Sequence, residues 1–305
     1  MSDAPSLRVL CLHGMHQCGE IFSQRLGALR KKAGRLKLQL HFVDAPFELP
    51  LEEGQQVAMR CWYRKGQEEK DWKTTLKFIS QEDRKHGPFD GIIGFSQGAG
   101  ICGLLCRTRE EALCQNNQPS ANNPSIDNDG GTIDTTSEGT HIIPLPALKF
   151  AVLYGGYMSK KVAVGCNERS SRLKSPGCLH TLHVYGKTDP VVKPEQSEEL
   201  YQGLAEIFPR GITEKFCHPS GHVVPMNRKA LGALTEFLKR VRNELHEKDE
   251  SEKTLMGAGG GGQGAKHEKE EEGKDDDIVE ITEEPPAGNR GDGIHLWGTL
   301  LPDQK

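Results

Sequence analysis

The sequence predicts an α/β fold, a mainly parallel central sheet flanked by helices, and two observations carry this prediction. Six short runs of apolar or β-branched residues recur over the first 246 positions, several of them separated by helical patterns. Such alternation is typical of parallel sheets. The runs at 8–12 and 150–154 are almost continuously apolar, as expected for strands covered by helices on both faces.

The elements follow in order along the chain. The predicted strands are 7–12, 38–43, 89–93, 147–154, 179–185 and 213–217, and the predicted helices are 19–33, 69–86, 98–114, 195–208 and 226–246. In the last helix, apolar residues recur at three- and four-residue spacing and should face the sheet: Leu231, Leu234, Leu238 and Val241.

Composition divides the chain into a catalytic domain at 1–246 and a tail at 247–305. Residues 257–264 contain six glycines, and residues 247–284 hold 14 acidic and 5 basic side chains. Such a segment has little apolar surface to bury, so the tail is predicted to be disordered. Residues 115–146 are rich in Asn, Ser, Thr, Gly and Asp and are predicted to form a mobile insertion loop.

Charge and cysteine usage narrow the class of protein. The formal net charge is −4, and no dense stripe of Lys and Arg with interleaved aromatic residues indicates nucleic-acid binding. Nine cysteines without CxxC spacing predict reduced thiols and no metal site. No run has the roughly 18 apolar residues of a membrane span. We therefore expect a soluble cytoplasmic protein, with the nucleus as a further location, no stable membrane insertion and no cofactor.

A G-x-S-x-G motif at 94–98 is the strongest functional signal. A buried strand precedes Ser96 and a helix of small apolar residues follows it, which is the context of a nucleophile elbow. Glycines on either side let strand and helix approach closely. Because the motif is short and this chain has 35 glycines, its strand-turn-helix setting decides the interpretation.

A serine nucleophile needs a base and an acid, in the chain order Ser, Asp, His for this elbow. Asp189 follows the strand at 179–185, and His222 follows the strand at 213–217 across a Pro-Ser-Gly loop. Each also has an ordinary alternative. Asp189 could cap a turn, His218 is a rival base that more plausibly packs or faces solvent, and His13 more plausibly shapes a loop.

The oxyanion hole and the acyl pocket follow from position in the chain. The N–H groups of Gln97 and Met15 are the predicted oxyanion donors, since they follow the nucleophile and the first strand. The segment 47–66 leaves the second strand at the same edge, and four of its residues are candidate substrate contacts: Phe47, Met59, Trp62 and Tyr63. They could equally anchor a long loop on the core.

Six motifs in order resemble the FSH family of serine hydrolases over about residues 6–245. They are Leu10-Cys11-Leu12-His13-Gly14, Asp44-Ala45-Pro46, Gly94-Phe95-Ser96-Gln97-Gly98-Ala99, Leu153-Tyr154-Gly155-Gly156-Tyr157, the run from His183 to Val192, and the run from His218 to Pro225. The resemblance implies an α/β-hydrolase fold and hydrolysis of carboxylic esters or thioesters by Ser96, Asp189 and His222. The expected partner is a small ester or thioester substrate with a hydrophobic acyl chain.

Two alternatives remain open. An acyl-protein thioesterase or lysophospholipase also favours a GFSQG elbow, although the residues around Asp189 and after His222 favour the FSH family. A pseudo-hydrolase could instead act as a binding module through its tail. There, Ile278, Val279 and Ile281 follow an acidic block and resemble a SUMO-interacting motif, which could add as a strand to a protein partner.

Overall fold

The computed structural model describes residues 6–51, 57–116, 145–159 and 178–257. Within these residues the strands are β1 Leu7–Leu12, β2 Leu38–Val43, β3 Phe47–Glu48, β4 Arg60–Cys61, β5 Gly91–Phe95, β6 Phe150–Tyr154, β7 His180–Gly186 and β8 Thr213–His218. The helices are α1 Gly19–Arg25, α2 Gly27–Ala33, α3 Glu68–His86, α4 Gln97–Asn116, α5 Pro194–Ile207 and α6 Arg228–Gly257.

Six strands form one sheet in the order β2-β1-β5-β6-β7-β8, and every neighbouring pair is parallel. The prediction of a mainly parallel sheet is confirmed. From β1 the chain first moves outward to β2, and later returns to pair β5 on the other side of β1. Ligands in open α/β sheets bind beyond the carboxyl ends of the strands at such a switch point. That edge is where β1 and β5 deliver their loops.

Helices cover both faces of the sheet, and the alternation of side chains along each strand produces two cores. On β1, Leu10 and Leu12 belong to the core beneath α3, α4 and α5, whereas Val9 and Cys11 belong to the core beneath α1, α2 and α6. The predicted apolar face of the last helix lies in the second core. The central strands β5, β6 and β7 are buried at every position, as expected for parallel strands covered by helices on both faces.

Three elements differ from the sequence prediction. The helix expected at 19–33 is broken at Leu26, which leaves helical geometry with φ −86° and ψ 18°. A two-stranded antiparallel sheet of β3 and β4 was not predicted, because two-residue strands carry no periodic signal. Helix α6 continues past the predicted end at 246, since residues 247–256 include neither glycine nor proline.

Several sequence predictions fall outside the described residues. They concern most of the 115–146 insertion, the tail beyond 257 and its Ile278-Val279 motif. Residues Met1–Met256 form one compact unit. The division into a catalytic domain and a tail stays a prediction. No helix among the described residues is long and apolar enough to cross a membrane.

Candidate active site

Ser96 occupies a strained turn between β5 and α4. Its φ is +53°, a left-handed conformation that non-glycine residues rarely adopt. The turn is fixed on both sides, because the Ser96 N–H donates to the Tyr154 carbonyl at 2.8 Å and its own carbonyl accepts from Gly100 N–H at 3.0 Å. The serine thus has the strand-turn-helix setting of a nucleophile elbow.

The flanking glycines allow this turn to pack against the sheet. A Cβ on Gly94 would lie 2.5 Å from the Gly98 carbonyl oxygen and 2.6 Å from Cys102 Sγ. One on Gly98 would overlap the carbonyl oxygen of Leu12 and lie 2.5 Å from that of His13. Both positions require glycine because backbone, rather than a movable side chain, fills the space.

Asp189 and His222, on the loops after β7 and β8, form a buried hydrogen-bonded pair. His222 Nδ1 lies 2.6 Å from Asp189 Oδ2, and the two side chains are 6 % and 1 % exposed. The other carboxylate oxygen accepts from Val191 and Val192 N–H groups, each at 2.9 Å. These donors fix the carboxylate so that Oδ2 faces the imidazole.

The environment of Asp189 keeps it ionised. Burial by itself would raise the pKa of Asp189, but the hydrogen bond from His222 and those from the Val192 and Val191 N–H groups outweigh it, so the pKa lies below its usual value. An ionised acceptor at Oδ2 places a proton on His222 Nδ1. The lone pair of a neutral His222 is then on Nε2, as a general base requires.

Gly155, directly after β6, lies against the side chains of His222 and Asp189. Its φ is +54°, and a Cβ there would lie 3.1 Å from His222 Cε1 and 3.6 Å from Asp189 Oδ2. Phe95, the neighbour of Ser96, packs its ring 4.8 Å from the His222 ring. The Ser96 hydroxyl has no hydrogen bond to another described residue. Catalytic bonds of this type often tighten only when substrate binds.

His218, the rival base, is packed inside the protein. It is 2 % exposed, neither ring nitrogen has a hydrogen-bond partner among the described residues, and burial lowers its pKa. The carboxylate of Asp189 instead bonds His222. The geometry therefore favours His222 as the partner of Asp189.

The N–H groups of Met15 and Gln97 are the two predicted oxyanion donors. Gly14 N–H donates to Gln17 Oε1 at 3.2 Å and His16 N–H to the Arg60 carbonyl at 3.1 Å, whereas the intervening Met15 N–H has no acceptor in the described part of the chain. Gln97 is the first residue of α4, so its N–H lacks an intrahelical acceptor. Both predicted oxyanion donors are thus available.

His13 fixes the loop after β1 from inside the protein. The imidazole is fully buried, and its Nε2 accepts from Ala45 N–H at 3.0 Å. Nδ1 must therefore carry the proton, and it donates to the Gly14 carbonyl at 2.7 Å. Burial lowers the pKa of His13, so the neutral ring that these bonds require is favoured.

Sequence reasoning considered only the main chain of Gln97 and missed its side chain. The carboxamide is buried, with Oε1 accepting from Trp62 N–H at 2.7 Å and Nε2 donating to the Tyr63 carbonyl at 2.9 Å. Trp62 in turn donates its indole N–H to the His13 carbonyl at 2.8 Å. The only sequence signal was a polar amide at the start of a helix whose first ten residues otherwise include no polar side chain larger than cysteine.

The four candidate pocket residues lie on the β3–β4 segment. The Phe47 ring lies 4.6 Å beneath the Arg64 guanidinium, and Met59 is half-buried. Trp62 has no exposed surface, while the Tyr63 hydroxyl bonds that of Tyr157 at 2.5 Å. Trp62 and Tyr63 adjoin the elbow through Gln97. Contact of these residues with substrate stays a prediction.

A cleft of about 570 Å³ opens elsewhere, beside the end of β2. Its lining includes His41, Asp44, Arg60, Phe78 and Glu82, and it includes neither Ser96 nor His222. The cleft therefore does not include the place where Ser96, Asp189 and His222 lie.

Among the described residues, two side-chain groups could hold a metal ion, and neither includes Ser96. His41, Glu82 and His86 place their ligand atoms within 4.8 Å of one another beside β2. In the second group, of Cys178, His180 and Glu244, His180 Nδ1 accepts from Ile212 N–H at 3.0 Å. That bond leaves the proton on Nε2, the nitrogen facing the other two ligands, and makes it a poor ligand.

The parallel sheet, the elbow and the His222–Asp189 pair on later loops define an α/β-hydrolase fold. A family model described as "Serine hydrolase (FSH1)" matches residues 1–234 of the chain. The chain belongs to this family. The resemblance and the fold class predicted from sequence are confirmed.

Curated relatives carry the name esterase. The chain is 30% identical to Esterase OVCA2 of Homo sapiens over 262 residues (78% of this chain, 98% of that protein). It is 27% identical to Esterase OVCA2 of Danio rerio over 267 residues (79% and 99%). Among solved structures, a Bacillus cereus carboxylesterase matches with a TM-score of 0.48 and 18% identity, over 77% of this chain and 89% of that one. Family and relatives together support a hydrolase activity for this chain.

Proposed function

We propose that the protein is a serine esterase or thioesterase that cleaves hydrophobic acyl esters through Ser96, His222 and Asp189. The observation that carries the proposal is the buried His222–Asp189 pair beside a strained Ser96. Strain at a serine persists only where surrounding structure fixes it, and such residues cluster at active sites. A hydrophobic acyl group is favoured because, in the described part of the chain, no basic cluster adjoins these residues to attract an anionic substrate.

The reaction follows from the roles of the three side chains. Ser96 Oγ attacks the acyl carbonyl while its proton passes to His222 Nε2, and Asp189 stabilises the resulting imidazolium. The Met15 and Gln97 N–H groups donate hydrogen bonds to the carbonyl oxygen and stabilise the negative charge that forms on it. When the C–O or C–S bond breaks, the leaving group takes the proton from His222. Water, deprotonated by the same histidine, then releases the acid and regenerates Ser96.

The test compares wild type, Ser96→Ala and the exposed Ser220→Ala as a matched control. We expect p-nitrophenyl esters of graded chain length to be turned over by wild type and Ser220→Ala, with Ser96→Ala at least ~10³-fold slower. A fluorophosphonate probe should label the same two proteins alone. Matched oxygen esters and thioesters then give the leaving-group preference, and the chain-length optimum measures the acyl pocket.

The proposal fails if wild type and Ser96→Ala are equally inert and neither is labelled. It also fails if Ser96→Ala retains turnover while Ser220→Ala loses it. A protein with an unlabelled Ser96 would be a pseudo-hydrolase, and binding through the tail would then become the leading hypothesis.

A further inference from the structure

We propose that the side chain of Gln97 is a positioning residue that holds the two oxyanion donors at a fixed separation. The main-chain N–H of Gln97 is one donor. Its carboxamide hydrogen-bonds the segment 60–63, and that segment hydrogen-bonds the loop that carries the other donor, Met15. The inference rests on the proposed function, since it assigns a role within the same reaction.

The carboxamide of Gln97 is fully engaged. Oε1 accepts from Trp62 N–H at 2.7 Å and Nε2 donates to the Tyr63 carbonyl at 2.9 Å, in a side chain only 3 % exposed. A flipped amide would place N–H against N–H and oxygen against oxygen. The two bonds therefore define one orientation, which ties the first residue of α4 to two successive residues of the segment.

The segment 60–63 is tied equally closely to the loop after β1. The Trp62 indole N–H donates to the His13 carbonyl at 2.8 Å. Arg60 pairs with the same loop through His16 N–H to its carbonyl at 3.1 Å, and through its own N–H to the Gln17 carbonyl at 2.9 Å. Met15 lies between these anchored residues, so the position of its N–H depends on the segment.

The bonds form one continuous path from the Gln97 side chain through Trp62 to the loop that carries Met15. Preorganised donors stabilise an oxyanion because they need not move as charge develops, and a site misplaced by about 1 Å loses much of this effect. The charge develops only in the transition state. Removing the two carboxamide bonds of Gln97 should therefore lower kcat and leave KM nearly unchanged.

The first test is Gln97→Met, which keeps the main-chain N–H and the side-chain length but removes both bonds. We expect kcat to fall roughly 10- to 100-fold, no more than the fall expected when one oxyanion donor is removed. KM should stay within about twofold of the wild-type value. Val241→Ala, in the core beneath α6, is the matched control for lost stability. It should retain wild-type kcat per folded molecule.

The second test is Gln97→Glu, which has the shape of glutamine. An ionised carboxylate would repel the Tyr63 carbonyl oxygen. A protonated one can donate a hydrogen bond to that oxygen and restore the link between α4 and the segment 60–63. We expect the ratio of variant to wild-type kcat to rise as pH falls. A merely structural role would leave that ratio independent of pH.

The third test is Trp62→Phe, which removes only the indole bond to His13. Both substitutions interrupt the same path of hydrogen bonds between Gln97 and the loop after β1. The double variant with Gln97→Met should therefore be little slower than the slower single variant.

Wild-type kcat in Gln97→Met, an equal loss in Val241→Ala, a flat pH ratio, or fully multiplicative effects would each overturn the inference. Failure of the proposed function looks different, because wild type itself would then be inert and Ser96 unlabelled.

Discussion

At the residue scale, the candidate site depends on side chains whose orientation is imposed by backbone groups. The two N–H donors on Asp189 Oδ1 leave Oδ2 as the only oxygen free to face His222. Ser96 is held in a left-handed turn because its N–H donates to the Tyr154 carbonyl and its own carbonyl accepts from Gly100 N–H. The chemistry therefore requires particular atoms in particular places, which is more than the right residue types.

Asp189→Asn tests this orientation. The amide oxygen of the substituted side chain should take the place of Oδ1, because the Val191 and Val192 N–H groups need an acceptor there. Its NH₂ would then face His222 Nδ1, force the proton onto Nε2 and remove the base. We expect kcat to fall roughly 10³- to 10⁴-fold with little change in KM, as measured in steady-state ester hydrolysis.

The control for this substitution is Asp90→Asn, since Asp90 immediately precedes β5 and pairs with the exposed Lys149. It should retain wild-type kcat. An Asp189→Asn enzyme as active as wild type would show that Asp189 does not orient the base.

At the element scale, the site depends on how closely β5 and α4 approach β1. Gly98→Ala places a methyl group against the carbonyl oxygens of Leu12 and His13, so the strand or the helix must move. We expect a loss of about 3 kcal/mol in the free energy of unfolding, measured by urea denaturation. Hydrolysis should be lost with it, because the loops carrying both oxyanion donors shift.

Gly232→Ala is the matched comparison, since this α6 glycine has no atom within 4 Å of an added Cβ. Alanine there should stabilise the protein by about 0.5–1 kcal/mol, because it reduces the entropy of the unfolded chain. Equal effects of the two substitutions would show that close packing at Gly98 is not what requires glycine.

The sequence predicted the sheet well and the supports of the site poorly, for one physical reason. Strands such as 38–43 carry their signal locally, in apolar and β-prone residues, and their observed bounds agree. The bond from Trp62 N–H to Gln97 joins residues 35 positions apart, so only the folded chain brings them together. The break at Leu26 was missed because an apolar residue fits the helical pattern on either side.

At the scale of the whole molecule, burial of histidines couples stability to pH. His183 on β7 is 2 % exposed, its Nε2 has no hydrogen-bond partner among the described residues, and its ring packs edge-on against Tyr201 at 5.4 Å. Burial lowers the pKa of His183 to about 3, although nearby Glu198 opposes the shift. His13 has its pKa lowered by the same cause. These rings are neutral in the folded protein.

The sign of the effect follows from linkage. Between pH 6.5, the usual pKa of histidine, and about 3, the unfolded chain binds a proton at His183 that the folded protein does not bind. The contribution of the neutral His183 to the free energy of unfolding is therefore fully present above pH 6.5. It is lost progressively as pH falls below that value. At pH 5 the loss due to His183 alone amounts to about 2 kcal/mol.

His183→Phe should remove this contribution, because phenylalanine keeps the edge-on contact with Tyr201 and cannot bind a proton. We expect the loss in free energy of unfolding between pH 7 and pH 5 to shrink by about 2 kcal/mol relative to wild type, measured by urea denaturation at both values. The exposed His246→Gln should show the wild-type loss. An unchanged pH dependence in His183→Phe would mean that His183 is protonated in the folded protein or reached by water, and the acid sensitivity would then have to come from other groups, His13 first among them.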